Sequence, residues 1–289
     1  MKKLLLLLVL IGLLSCKKEK TLTLAFNEPN EIQKSIFTNK NDIHSNLYGF
    51  WVGECVSVPG KGNKNSPYNE NLKIKIENVN ENEVIAKSIF HGNFITTNGI
   101  LITENGSVLK MELKEDLKKR NGKFIYTFEI SGNEIKGVRT SGVSDYIFPK
   151  SNFTLHKKEF IYDKNNLSKP ILYLQELMEN DKGIFFEDGA RTIITNGIEK
   201  INASVEILTE KRLKNLKKDD LQIIRKTIYA RHGFIFKSAE LSRNFNNSDW
   251  YLPVSENVDS ELTSIEKTNI ELLTRFEKYA KENYTYFGR

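Results

Sequence analysis

The 289-residue chain has only two cysteines and four histidines, and beyond its first sixteen positions it has no apolar run of membrane-spanning length. Each scarcity excludes something. Two cysteines make no disulfide framework. His44, His91, His156 and His232 stand far apart with no ligand-like neighbour at metal spacing, so neither a metal site nor a metal cofactor is expected. Gly142-Val143-Ser144-Asp145-Tyr146 fails as a nucleophile elbow at its last position, and Gly60-Lys61-Gly62 lacks the rest of a phosphate loop. Carboxylates are plentiful, but on a chain that is 28% charged they single out no acid pair. No catalytic residue is nominated, and the chain reads as a non-enzyme. The charge excess is +6, with Lys and Arg spread among 37 acidic residues instead of gathered in a tract. That is a solvated surface and not a nucleic-acid footprint.

What is present begins with a secretory pattern: basic Lys2 and Lys3, then an almost unbroken apolar run over 4–14, too short to span a bilayer. It ends in Leu13-Leu14-Ser15-Cys16, which resembles the bacterial lipobox. The resemblance implies a signal peptide at 1–15, covalent lipid on Cys16 as the one added group, and a membrane partner through that anchor. No aspartate follows Cys16, which favours the outer membrane, facing the periplasm or the cell surface. Loss of Lys2 and Lys3 with the signal would lower the charge to +4. Residues 16–43, rich in Lys, Asn and Glu, read as a tether. Cys55, left without a partner in the apolar run 51–58, reads as a buried structural thiol.

From 44 to 158 apolar and polar residues alternate in short runs. Leu72, Ile74 and Ile76 oppose Lys73, Lys75 and Glu77; Leu109, Met111 and Leu113 oppose Lys110, Glu112 and Lys114; Phe124, Tyr126, Phe128 and Ile130 repeat the pattern. Asn105-Gly106, Asn121-Gly122 and Ser131-Gly132-Asn133 supply hairpin turns. About eight strands at this spacing predict an antiparallel barrel or sandwich, of which we take the barrel. Gly49-Phe50-Trp51 and Ser144-Asp145-Tyr146 are similar to the Gly-x-Trp and Thr-Asp-Tyr signatures of lipocalin-like barrels. That likeness puts Trp51 in the barrel interior near a closed end.

Residues 159–205 form a connector, in which Pro170 with 171–178 reads as a short helix and 185–194 as a hairpin around Asp188-Gly189. The period then becomes helical. Asp219 or Asp220 caps a helix running to His232, with Gly233 as its left-handed stop; Ser238 starts a second helix. Thr263 with Glu266 makes a capping box for a long helix over 264–282, whose apolar stripe is Ile265, Leu272, Phe276 and Tyr279, with Leu273 beside it.

Within this last region, Tyr229-Ala230-Arg231-His232-Gly233, followed by Phe236 and by Trp250-Tyr251, is the signature of the YARHG domain, a bacterial envelope module that 206–289 resembles. The resemblance implies location and fold more than chemistry, with peptidoglycan or another envelope component as the candidate partner. Read physically, Arg231 pairs with a carboxylate such as Glu266 or Glu277, and the aromatics build a core. The alternative is that Tyr229, Arg231, His232 and Trp250 line a groove for a polar polymer. The whole reads as an α+β lipoprotein with a barrel and a helical YARHG domain, acting as a non-catalytic binding or structural module. Behind it stand a carrier of an apolar small molecule in the barrel and, last, a hydrolase of envelope polymers.

Overall fold

A computed structural model describes residues 44–61, 67–90, 93–105, 108–115, 124–142, 148–167, 172–180, 183–191 and 197–283. The lipobox cysteine, the tether and Ser144-Asp145-Tyr146 lie outside them, as do Gly106 and Asn121-Gly122.

Eight strands form a closed antiparallel meander: β1 (Gly49–Val58), β2 (Tyr68–Asn80), β3 (Glu83–Phe90), β4 (Asn93–Asn105), β5 (Val108–Glu115), β6 (Phe124–Ser131), β7 (Glu134–Ser141) and β8 (Lys150–Lys158), with β1 paired to β8. It is a barrel and not a sandwich. The alternation read from the sequence is the wall: Leu72, Ile74 and Ile76 are 0% exposed and share one core with Trp51, Met111, Leu113, Tyr126, Phe128 and Ile130. Eight strands enclose little more than the volume of their own inward side chains. Register shifts at 76–78 in β2 and 101–103 in β4 supply the local twist that closure needs. The Ser131-Gly132-Asn133 turn is as expected, with Gly132 at φ 57°.

The connector departs from expectation. Where a short helix was predicted, β9 (Leu172–Asn180) pairs with β10 (Gly183–Arg191) as a separate antiparallel ribbon. Its turn falls between Asn180 and Gly183 and not at Asp188-Gly189, which sits inside β10 opposite Gln175 and Leu174. The β-compatible run Leu172-Tyr173-Leu174, paired with Arg191, Ala190 and Gly189, outweighs the helix-start preference of Pro170, which lies outside the described residues.

The helical region holds α1 (Glu210–Leu213), α2 (Lys218–Arg231), α3 (Ala239–Asn246) and α4 (Ser264–Asn283). Helix α2 starts earlier than read: Lys217 is its N-cap, and Asp220 at the third helical position accepts the Lys217 backbone N–H at 2.9 Å. Ser238 caps α3 by accepting from Leu241 N. The predicted box on α4 is formed, with Thr263 N donating to Glu266 at 2.9 Å and Glu266 N to Thr263 Oγ1 at 3.2 Å. The buried stripe of α4 is rotated from the expected one. It runs through Glu266, Asn269, Leu273 and Ala280, while Tyr279 is 51% exposed. Two of its members are polar, which hid it from an apolar count. Among the described residues no helix is long and apolar enough to cross a membrane.

The two parts share an interface. Phe50, Val52 and Ile89 on the outside of the barrel pack against Phe160 and Leu252. Lys73, read as solvent-facing from its alternation, is 0% exposed beneath the end of α3.

Candidate functional site

The signature residues lie at the C-terminal end of α2, and the structure turns most of them inward. Gly233 leaves the helix at φ 71°, where a side chain is strained, and an added Cβ would meet Val254 Cγ2 at 2.5 Å and Phe160 Cε2 at 2.8 Å. The position therefore requires glycine twice, once for backbone direction and once for contact with the interface. Ala230 is fully buried beside Phe236, Phe245 and Tyr251. Phe236 stacks on Phe245 at 4.9 Å, Tyr251 donates its hydroxyl to Phe234 O at 2.8 Å, and Trp250 Nε1 donates to Leu167 O at 3.0 Å. Tyr229 is partly buried between this cluster and the α2–α4 core, edge-on to Phe234.

Arg231 and His232 are 2% and 1% exposed. Arg231 donates to Asn166 O at 2.7 Å and to Ser204 Oγ at 2.9 Å, so the carboxylate contact expected for it is not the one made. Burial lowers its guanidinium to about 10, opposed by the charge of Glu266. His232 Nε2 lies 2.8 Å from Glu266 Oε2, and Tyr162 stacks on the imidazole at 4.4 Å while donating to Glu266 Oε1 at 3.2 Å. Burial pushes the Glu266 carboxyl up, but the His232, Ser204 and Thr263 bonds outweigh it and hold the group below its usual range. Glu277 is taken instead by Arg225, in a bidentate pair at 2.5 and 2.8 Å that joins α2 to α4. Asn269 completes the frame, donating to Ala203 O and Glu206 O at 2.7 Å each and accepting from Leu208 N.

Arg231, His232 and Glu266 are thus buried and bonded inside the fold, with Arg231 Nη2 and His232 Nδ1 left without a hydrogen-bond partner among the described residues, and they do not front an open groove with Tyr229 and Trp250. Sequence reasoning missed Tyr162, Asn166 and Ser204, which hold the signature from 160–204. No spacing rule points from a loop tyrosine to a helix carboxylate 104 positions away.

The barrel contains a second buried cluster that nothing in the sequence announced. Tyr126 Oη donates to Glu115 Oε1, Ser88 Oγ donates to the same oxygen at 3.3 Å, and Arg139 Nε donates to Tyr126 Oη at 3.2 Å. The guanidinium lies over Phe124 at 3.3 Å and Phe90 at 4.5 Å. Register carries the belt on around the wall: Thr97 faces Glu115, Arg139 faces Ser151, and Ser151 bonds Ser57 at 2.9 Å. Burial raises the Glu115 carboxyl against the pull of Arg139. Toward the opposite end Trp51 donates its indole N–H to Leu47 O at 2.9 Å and is 0% exposed, within the barrel core. Cys55 is buried, and desolvation pushes its thiol up to about 11, so it is a poor nucleophile. No group of His, Cys, Asp and Glu suited to a metal occurs among the described residues.

Fold and site together define a barrel with a small helical domain docked on its outside, the latter organised by a buried arginine, histidine and glutamate. Residues 199–278 match the YARHG domain, a start seven residues before the boundary at 206 and inside the 3-10 turn Ile198–Lys200. No curated protein and no solved structure matches the chain.

Proposed function

We propose that this protein is an envelope lipoprotein, anchored through lipid on Cys16 to the outer membrane, and that it works as a non-catalytic module binding peptidoglycan or another envelope component. One observation carries the non-catalytic part: the chemically versatile side chains of the signature hold each other, His232 on Glu266 and Arg231 on Ser204 and Asn166. A group whose bonds are all internal is a fold determinant before it is an acid or base. The anchor is supported by the sequence alone, through Lys2, Lys3, the apolar run and Ser15-Cys16. The apolar-carrier reading is weakened by the interior belt, since Glu115 and Arg139 would greet a lipid with charge.

Two measurements test the proposal. Cells fed an alkyne-tagged fatty acid should label the protein, and Cys16→Ala should abolish the label. The purified chain should pellet with peptidoglycan at high salt, where pairing by net charge is screened. Pelleting that vanishes with salt, or labelling that survives Cys16→Ala, removes the corresponding half.

A further inference from the structure

Where the outer faces of β1, β2 and β8 meet the end of α3, an open cleft of about 580 Å³ lies between the barrel and the YARHG domain. That is within the roughly 300–1,000 Å³ typical of small-ligand sites, which favour domain junctions. Glu54, Asn71, His156 and Lys158 reach it from the outer face of the barrel, and Asp249 from the helical side. Both signs of charge are present and no Phe, Tyr or Trp lines it among the described residues. A polyanion would meet the carboxylates of Glu54 and Asp249, and a sugar or base would find no ring to stack on. Lys157, also at the cleft, turns its ammonium to Asn46 O and the Trp51 ring, leaving Lys158 as the lysine facing outward.

The cleft walls are fixed by a costly device. Fully buried Lys73 donates to Asn246 O at 2.6 Å, to Asn246 Oδ1 at 2.8 Å and to Ser248 O at 3.4 Å. Asn246 Nδ2 donates to Asn71 O at 3.1 Å, and Asn71 Nδ2 donates to Asp249. An apolar residue would cover the same face without desolvating an ammonium. What Lys73 adds is direction, because it holds only one placement of the carbonyls at the negative end of α3. That placement sets Asp249 on the rim. Asn71 Oδ1 is itself buried, with no hydrogen-bond partner among the described residues.

We propose that this junction cleft binds a short zwitterionic peptide, its ammonium between Glu54 and Asp249 and its carboxylate toward Lys158 and His156. The natural source, the stem peptide of the wall polymer, rests on the wall-binding reading above; the cleft chemistry does not.

The test is calorimetric titration of the full chain in detergent with the tripeptide L-Ala-γ-D-Glu-L-Lys. The same peptide with both amines acetylated and both carboxylates amidated, and chitotetraose, serve as comparisons. The free tripeptide should bind and the other two should not. Glu54→Lys and Lys158→Glu, both at the cleft surface, should each weaken it by about tenfold or more, the effect of losing roughly 1.4 kcal/mol of charge pairing. Lys73→Met, which keeps the interface covered but releases the α3 end, should weaken it as well. Absence of heat with the free tripeptide at millimolar concentration, equal binding of the capped peptide, or unchanged affinity in both charge reversals overturns the site. If the tripeptide binds while peptidoglycan pelleting fails, the cleft stands and the wall reading falls; the reverse pair of results does the opposite.

Discussion

The barrel and the YARHG domain each bury an acid beside a base and a tyrosine, yet the two clusters differ in what they are bonded to. Glu115 and Arg139 meet across the barrel interior, and their partners, Tyr126 and Ser88, are side chains of the same wall. Glu266 does more than pair with His232: it accepts the Thr263 N–H at the start of α4 and the hydroxyl of Tyr162 from the segment after β8. The carboxyl groups accordingly shift in opposite directions, Glu115 up and Glu266 down. A buried ion pair is often replaceable by apolar residues, whereas a carboxylate that also caps a helix and ties a segment is not.

Arg139→Ala should break the barrel cluster hardest, costing about 3–5 kcal/mol in urea unfolding because Glu115 is left buried and unpaired. The sharpest contrast is between two double variants. Glu115→Leu with Arg139→Met should return to within about 1 kcal/mol of the parent, while His232→Leu with Glu266→Leu should stay about 1–2 kcal/mol short through the lost cap. Equal recovery of both would erase the distinction. Gly233→Ala should cost about 1–3 kcal/mol through positive φ and the Val254 and Phe160 contacts, and lower the thermal midpoint accordingly.

The pH dependence separates the clusters more gently. With its folded value below the ordinary 4.5, Glu266 contributes stability that is fully present above 4.5 and lost as pH falls through the folded value. Glu115, raised, has the opposite sign: its ionised form costs stability at high pH, and acid relieves that cost. Glu266→Gln should therefore flatten the acid limb of the stability curve. At the interface Lys73, lowered from 10.5 to about 7 by burial, with Asp249 opposing and Lys158 adding to the shift, leaves the unfolded chain holding the extra proton between those values. Stability should rise with pH across that window, and Lys73→Met should remove the rise.

The same comparison explains what was legible. Strand alternation is a local signal, so eight strands and the inward Leu72, Ile74 and Ile76 could be read off the chain. The signature Tyr229-Ala230-Arg231-His232-Gly233 was legible as a string, and Gly233 even as a left-handed stop. Its partners were not, because Asn166, Ser204 and Tyr162 reach it from distant positions through loop backbone and single side chains. Lys73 looked like any outward lysine of an alternating strand, since the sequence of β2 carries no record of what docks on it. The α4 stripe was misplaced for a related reason: Glu266 and Asn269 are buried because they are fully bonded, and an apolar count cannot see that. For β9, flanking proline suggested a helix where pairing with β10 decides the structure.

The central claim is that the YARHG signature builds the fold and leaves binding to other surfaces. Arg231→Met tests it most directly, by urea unfolding together with peptidoglycan pelleting at matched folded fraction. The variant should lose about 3 kcal/mol, from Ser204 and Asn166 O left unpaired in the interior, with pelleting per folded molecule unchanged. Unaltered stability with pelleting abolished would make Arg231 a ligand contact and contradict it.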